Sequence, residues 1–490
     1  MRTRLLLILP AAVLLLGVGC RKEEAEDPQD PATPYVPTPY VLDVPANLPP
    51  MPIPADNPLT VEGVKLGRYL FYEERLSGNN TMSCASCHSA AYAFTDSGRA
   101  VSTGIDGIAG TRSSMALINL GYAQSFFWDG RAATLEDQIL RPVRDPIEMH
   151  ETWPNAMAKL QADPAYVQLF SEAFGSGNID SLKAAKAIAQ FLRTLVSANS
   201  KYDKVKRGEA AFTPDEAAGY TLFQAEGGAP GEQIFLPGGG FVVGQGGADC
   251  FHCHNDAAGL FTDEQFRNNG VQETPYADHG RMAVTADPMD DGKFKVPTLR
   301  NIMLTAPYMH DGRFATIEEV IDHYNDGGHP GSTVDAFMKF TDPDLDMGLT
   351  ATKKAQLIAF LNTLTDMDFV NDERSTDPAP PWTAGPWTPG RQVVQRILSP
   401  NTGLLNRLVP SSMRAHSCTP SVMLGWGCTR SASSRMLMPV RIMRATASMA
   451  LLACSPTARM PSTRISSSSV TMSLKKPLVR RMAMARAMQA

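Results

Sequence analysis

Two short segments of this chain, CASCH at residues 84–88 and CFHCH at 250–254, carry the same arrangement: two cysteines three apart, with a histidine directly after the second. Such a pattern constrains a fold more tightly than any apolar run, because three reactive side chains must converge on one centre. The segments are not isolated echoes. CASCHSAAYAFTD matches CFHCHNDAAGLFTD with one residue of slip, WDGRAATLED at 128–137 matches HDGRFATIEE at 310–319, and FLRTL at 191–195 matches FLNTL at 360–364. Three matches in the same order indicate a tandem duplication, with units predicted at 59–205 and 206–372.

Each unit reads as helical, so the predicted fold class is all-α, with two tandem domains. Thr134 and Thr316 are followed three residues on by Asp137 and Glu319, the pattern of a helix N-cap with an acidic partner in the first turn. TPDE at 213–216 marks another start, with proline where the first helical position tolerates it. Ile188, Leu192 and Leu195 share one face, as do Leu357, Leu361 and Leu364, which predicts an amphipathic helix closing each unit. The glycine-rich stretch LPGGGFVVGQGGADC at 236–250 reads as a loop, and no run of alternating strands is visible.

The ends of the chain differ from its middle. MRTRLLLILPAAVLLLGVGC pairs two arginines with an apolar run too short to span a bilayer, the composition of a secretion signal. Small residues directly before Cys20 suggest a lipid-modified cysteine, hence a periplasmic protein whose membrane contact is the anchor alone. The 11 prolines between Pro28 and Pro58 predict a semi-extended tether over residues 21–58. After Asp377 there are 15 Lys and Arg and no Asp or Glu, which leaves 30 basic and 50 acidic side chains before that point. The acidic body argues against a nucleic-acid partner. Residues 373–490, basic and without periodicity, are expected to be disordered or an out-of-frame extension.

Three chemistries compete for CxxCH: zinc ligation, a redox dithiol, and covalent haem c with the histidine as axial iron ligand. A zinc ribbon places its cysteine pairs roughly 15–20 residues apart, whereas these lie 166 apart, one pair per unit. A dithiol leaves the repeated histidine unexplained. Haem attachment through Cys84 and Cys87, and through Cys250 and Cys253, with His88 and His254 on the irons, uses every residue of both motifs. His252 reads as a spacer.

The far side of each iron decides between catalysis and electron transfer. Fourteen residues beyond Trp128 stands Pro142; fourteen beyond its counterpart His310 stands Tyr324. If that slot faces the haem in both units, Tyr324 closes the second iron and the first is left open, as a peroxide-using site requires. A packing role for Tyr324 is the alternative, and His323, Met303 and Met309 compete as ligands. No histidine lies between His88 and His150 to close the first iron. Gln138 shares a helix face with Pro142, and Glu148 follows the RPVRDP loop; either a proton-transfer role or plain surface exposure fits Glu148. Trp128 reads equally as an electron relay or as core packing.

Together CASCH, FFWDGRAATLEDQ, PIEM, KVPTLRNIMLTAPYMHDG and CFHCH resemble the bacterial dihaem cytochrome c peroxidases over residues 55–370. The likeness leans toward the branch containing MauG, in which a tyrosine occupies the far side of the second haem. The resemblance implies Tyr324 as that ligand, Trp128 between the haems, and Glu148 with Gln138 at the peroxide site. It also implies a calcium ion held through Ser113, Thr305 and Pro307, although Ser113 stands where an asparagine is usual. Position 248, where MauG carries a surface tryptophan, is alanine. The expected function is an exported peroxidase that reduces hydrogen peroxide at the N-terminal haem. Electrons would pass through the C-terminal haem from a cytochrome or from an oxidisable tryptophan on a partner protein. The rival is a dihaem electron carrier without turnover.

Overall fold

The structure, a computed structural model, describes residues 35–378 except 97, 237–238 and 342–345. The leader, Cys20, residues 21–34 and the tail beyond 378 lie outside the described residues. What is described is helix-rich, with eleven α-helices separated by 3₁₀ turns and loops among the described residues.

The described residues pack around two hydrophobic cores. One gathers residues from Leu66 to Leu195, and the other residues from Tyr202 to Leu364. The first lobe is built on α1 (Val61–Phe71), α2 (Leu135–Arg144), α3 (Trp153–Gln161), α4 (Pro164–Phe174) and α5 (Ser181–Arg193). The second is built on α6 (Lys201–Lys206), α7 (Pro214–Phe223), α8 (Met282–Thr285), α9 (Ile317–Asn325) and α10 (Ala351–Asn362). The caps fall where the sequence predicts. Thr134 accepts from the Asp137 amide, and Thr213 and Thr316 each form a reciprocal capping box with Glu216 and Glu319.

Both lobes solve their central helix crossing in the same way. In α1, Gly67 lies so close to α5 that a Cβ there would sit 1.9 Å from the Ala187 carbonyl oxygen; in α7, a Cβ on Gly219 would sit 1.9 Å from that of Gln356 on α10. Only a residue without a side chain lets these backbones touch. The approach seals Phe191 and Phe360 into the two cores, each contributing about 1.5–3 kcal/mol by burial.

Strand pairing is confined to short pieces. The glycine-rich stretch read as a loop contains a strand, β2 (Phe241–Val243), paired with β1 (Gln233–Phe235) just before it, and β3 (Phe266–Arg267) pairs with β4 (Phe294–Lys295). A run of three residues is too short for periodicity to reveal it.

Three boundaries differ from those predicted. Residues 35–58, expected to be a tether, run along the body instead. The Tyr40 amide donates to Leu59 O, Asn47 to Asp203, Tyr122 to Pro49 O, and Leu48 is buried. Proline density fixes an extended backbone without deciding whether that backbone packs. Residues 373–378, assigned to the tail, are also held: Arg68 donates to the carbonyls of Glu373 and Thr376, and Tyr72 to that of Ser375. Finally, α11 (Met367–Val370) lies within the predicted second unit but packs Phe369 and Val370 into the first core, while Tyr202, within the predicted first unit, belongs to the second core.

The lobes are pinned together by polar contacts. Arg112 bridges Asp129 of the first lobe and Asp278 of the second, at 2.6 and 2.7 Å. Within the second lobe, Arg300 and Asp203 form an ion pair whose side chains are both fully buried.

Candidate functional site

In both CxxCH segments the first cysteine opens a 3₁₀ turn, and the histidine amide closes it by donating to that cysteine's carbonyl, at 3.1 Å for His88 and 2.9 Å for His254. Two thiols and one imidazole are thereby gathered on a single turn. The four cysteines are unpaired. Burial pushes the Cys84, Cys250 and Cys253 thiols up to about 12 and raises Cys87. A reactive dithiol needs the opposite shift, so that reading loses ground.

The imidazoles are oriented as axial ligands require. Nδ1 of His88 lies 2.8 Å from the Phe94 carbonyl and Nδ1 of His254 lies 3.2 Å from that of Phe261. A carbonyl only accepts, so Nδ1 carries the proton and Nε2 keeps its lone pair. Burial lowers both histidines below their ordinary value, against the raising effect of those carbonyls, which keeps the rings neutral. Phe94 and Phe261 occupy the same place in the repeated FTD motif. Two thiols and one neutral imidazole, twice over, fit covalently held haem.

The helices α2 and α9 differ at the position that bears on the far side of each centre. α2 and α9 both begin after a capping threonine, and the eighth residue beyond it is Pro142 in one and Tyr324 in the other. The Tyr324 hydroxyl accepts from Asn269 Nδ2 at 3.0 Å, and burial pushes the phenol up to about 12, with the nearby Cys250 and Cys253 sulfurs adding to that. Tyr324 thus faces the second CxxCH. Among its competitors, His323 spends Nε2 on the Asn269 carbonyl at 3.0 Å, while the Met309 sulfur lies 3.4 Å from Asn269 Nδ2. Asn269, which touches both Tyr324 and Met309, was not foreseen; nothing in the sequence marks it.

Glu148 is held by its backbone, which accepts from Ile105 N and donates to Asp145 O. Burial raises its carboxyl above the ordinary range, with Asp145 adding to the shift and Arg131 opposing it. It also exerts a field on Cys84 and Cys87, so it stands beside the first CxxCH rather than on a remote surface. Gln138 lies half-buried on α2, one turn before Pro142.

Trp128 sits between the lobes. Its indole donates to Ser113 O at 2.9 Å and its carbonyl accepts from Lys295 N at 2.7 Å. It lines a cavity of about 120 Å³ together with Ser113, Thr305, Pro307 and Lys295. The three residues assigned to calcium therefore line the same cavity, although the Ser113 hydroxyl already donates to Met309 O at 3.0 Å. His310, the counterpart of Trp128, stacks on Phe294 with centroids 3.7 Å apart, and burial lowers it to about 4.

The family described as di-haem cytochrome c peroxidase matches residues 61–211. The methylamine utilization protein MauG of Methylorubrum extorquens is 33% identical over 316 residues, covering 64% of this chain and 81% of that protein. This chain belongs to the dihaem cytochrome c peroxidase family. Cytochrome-c peroxidase IdrP1 of a Pseudomonas species is likewise 33% identical, over 65% of this chain and 85% of its own length. Among solved structures, a MauG-like protein associated with microbial copper homeostasis superposes with a TM-score of 0.59 at 37% identity, covering 69% of this chain and 99% of that one. As a member of this family the chain is an oxidoreductase that uses two c-type haems, hydrogen peroxide and cytochrome electron donors.

Proposed function

We propose that this protein reduces hydrogen peroxide in the N-terminal lobe, with electrons entering through the C-terminal lobe. The observation that carries the reading is the unequal pair at the eighth helical position. Proline offers no donor atom where Tyr324 offers a phenol oxygen, so the two centres are built for different tasks. Cys84, Cys87 and His88 would hold one haem; Cys250, Cys253, His254 and Tyr324 would hold the other. Bound haem supplies the iron at which peroxide is cleaved and the store for its oxidising equivalents.

The chain's own residues manage the protons. Glu148, raised toward neutrality by burial, takes a proton from one peroxide oxygen and returns it to the departing one. Two electrons and two further protons complete the conversion to two waters. Gln138 offers an amide donor on the same side. Trp128, fixed at its indole and its carbonyl by opposite lobes, is placed for electron passage between them. The calcium reading, with Ser113, Thr305 and Pro307 as ligands, rests on their shared cavity and on the family resemblance.

Export to the periplasm with a lipidated Cys20 rests on the leader sequence. Among the described residues no helix is long and apolar enough to cross a membrane.

Ferric spectra of the purified protein test the asymmetry. One high-spin and one low-spin haem are expected; two low-spin haems would mean an electron carrier. Adding peroxide with reduced cytochrome c, and separately with periplasmic proteins, shows which is oxidised. The likeness to a protein associated with copper homeostasis makes copper-handling proteins the first substrates to try.

A further inference from the structure

His252, between the two thioether cysteines of the second lobe, has no part in the reading above. Its ring stacks flat on Phe337, with centroids 3.9 Å apart and planes 9° apart. This fixes the direction of Nε2. Glu226, just beyond α7, and Asp249, directly before Cys250, converge on it: one ligand atom from each of Glu226, Asp249 and His252 lies within 4.8 Å of the other two. Glu226 Oε1 is 3.1 Å from Nε2 and Asp249 Oδ1 is 3.9 Å away.

These side chains are enclosed, with 15%, 6% and 12% of Glu226, Asp249 and His252 exposed. Lys339, wholly buried, is ion-paired with Glu226 Oε2 and with Asp249 Oδ1, the latter at 2.9 Å. The cluster is nevertheless incompletely satisfied. His252 Nε2 and Asp249 Oδ2 are both buried without a hydrogen-bond partner. Two carboxylates also share a single ammonium, which leaves oxygens in the pocket for a further cation to engage.

We propose that Glu226, Asp249 and His252 form a binding site for a divalent cation of the borderline class typified by Zn²⁺. One imidazole nitrogen with two carboxylate oxygens suits such an ion, whereas calcium and magnesium prefer all-oxygen shells. Lys339 then acts from behind, orienting both carboxylates by one oxygen each. A cation here ties the turn at the end of α7 to the loop carrying Cys250 and Cys253, so it stabilises the attachment loop of the second haem. The site is independent of whether the protein turns over peroxide.

The test uses the haem-loaded protein, stripped with a chelator and then equilibrated with Zn²⁺ alone, with bound zinc measured by mass spectrometry. Binding of zinc that His252→Gln and Asp249→Asn each weaken by at least about ten-fold is expected, with His150→Gln, at an exposed histidine elsewhere, as the control that leaves it unchanged. Lys339→Gln is expected to tighten binding, because it removes a competing cation. Since Asp249→Asn also loosens Lys339, His252→Gln decides, with an unchanged Soret spectrum showing that the loop has folded. Zinc binding that is absent in the parent protein, or equal in parent and His252→Gln, overturns the proposal.

Discussion

Replacing Glu148 with Gln should have two effects of opposite sign. The substitution keeps the shape and removes the proton acceptor, so peroxide consumption should fall by about 10²–10⁴-fold, the usual contribution of a positioned acid–base group; that is about 3–5 kcal/mol of barrier. The same burial that fits Glu148 for proton transfer is unfavourable for folding. Its carboxyl is raised above the ordinary value by burial and by Asp145, so the folded state prefers it protonated. Stability from this group is fully present below the unfolded value and is lost as pH rises through the folded one. At neutral pH the parent therefore bears an unfavourable buried charge that Gln does not, and Glu148→Gln should be the more stable protein there, with the difference vanishing in acid. Stopped-flow peroxide kinetics and thermal melts at several pH values on the haem-loaded proteins measure both. Arg131 opposes the shift, so Arg131→Gln should move the acid limb of the activity profile to higher pH. Activity within about three-fold of the parent, together with an unmoved acid limb, would refute the assignment.

Other outcomes follow from the same geometry. Tyr324→Phe should convert the low-spin signal of the second haem to high-spin, and Asn269→Leu, which removes the hydrogen bond to the phenol, should perturb that signal alone. Gly219→Ala drives a methyl group to within 1.9 Å of the Gln356 carbonyl; by overpacking it should lose about 1–3 kcal/mol in urea titrations, whereas Gly110→Ala, where the nearest atom to the added carbon is Ser102 O at 3.5 Å, should shift the midpoint far less. Arg300→Met strands Asp203 in the interior and should cost about 3–5 kcal/mol. Burial raises Asp203, but the hydrogen bonds and charge of Arg300 outweigh it and leave the carboxyl below its usual range. Its contribution is therefore present above the unfolded value and lost in acid as pH falls through the folded one. The stability advantage of the parent over Arg300→Met should accordingly shrink toward low pH.

Much of the site was legible because covalent chemistry is local. Two cysteines and a histidine within five residues need only one turn to meet, and the repeated FTD that supplies the carbonyls of Phe94 and Phe261 follows within a few residues of each histidine. The threonine caps were readable for the same reason: a side chain bonding an amide three residues on involves no distant partner. Asn269 was not legible, because it reaches Tyr324 across 55 residues. The pairing of Trp128 with Ser113 and Lys295 depends on two lobes meeting.

By itself the sequence determined the duplication, the helical class, the attachment motifs and the inequality of Pro142 and Tyr324, since each is written in spacing along one stretch of chain. Tertiary structure alone decided that the proline-rich segment from residue 35 packs on the body and that α11 returns to the first core. It alone brought Glu226 to His252 and Asp249. In each case the deciding interaction joins residues far apart in the chain, and whether such groups meet depends on how the helices close over their cores, which no local pattern encodes.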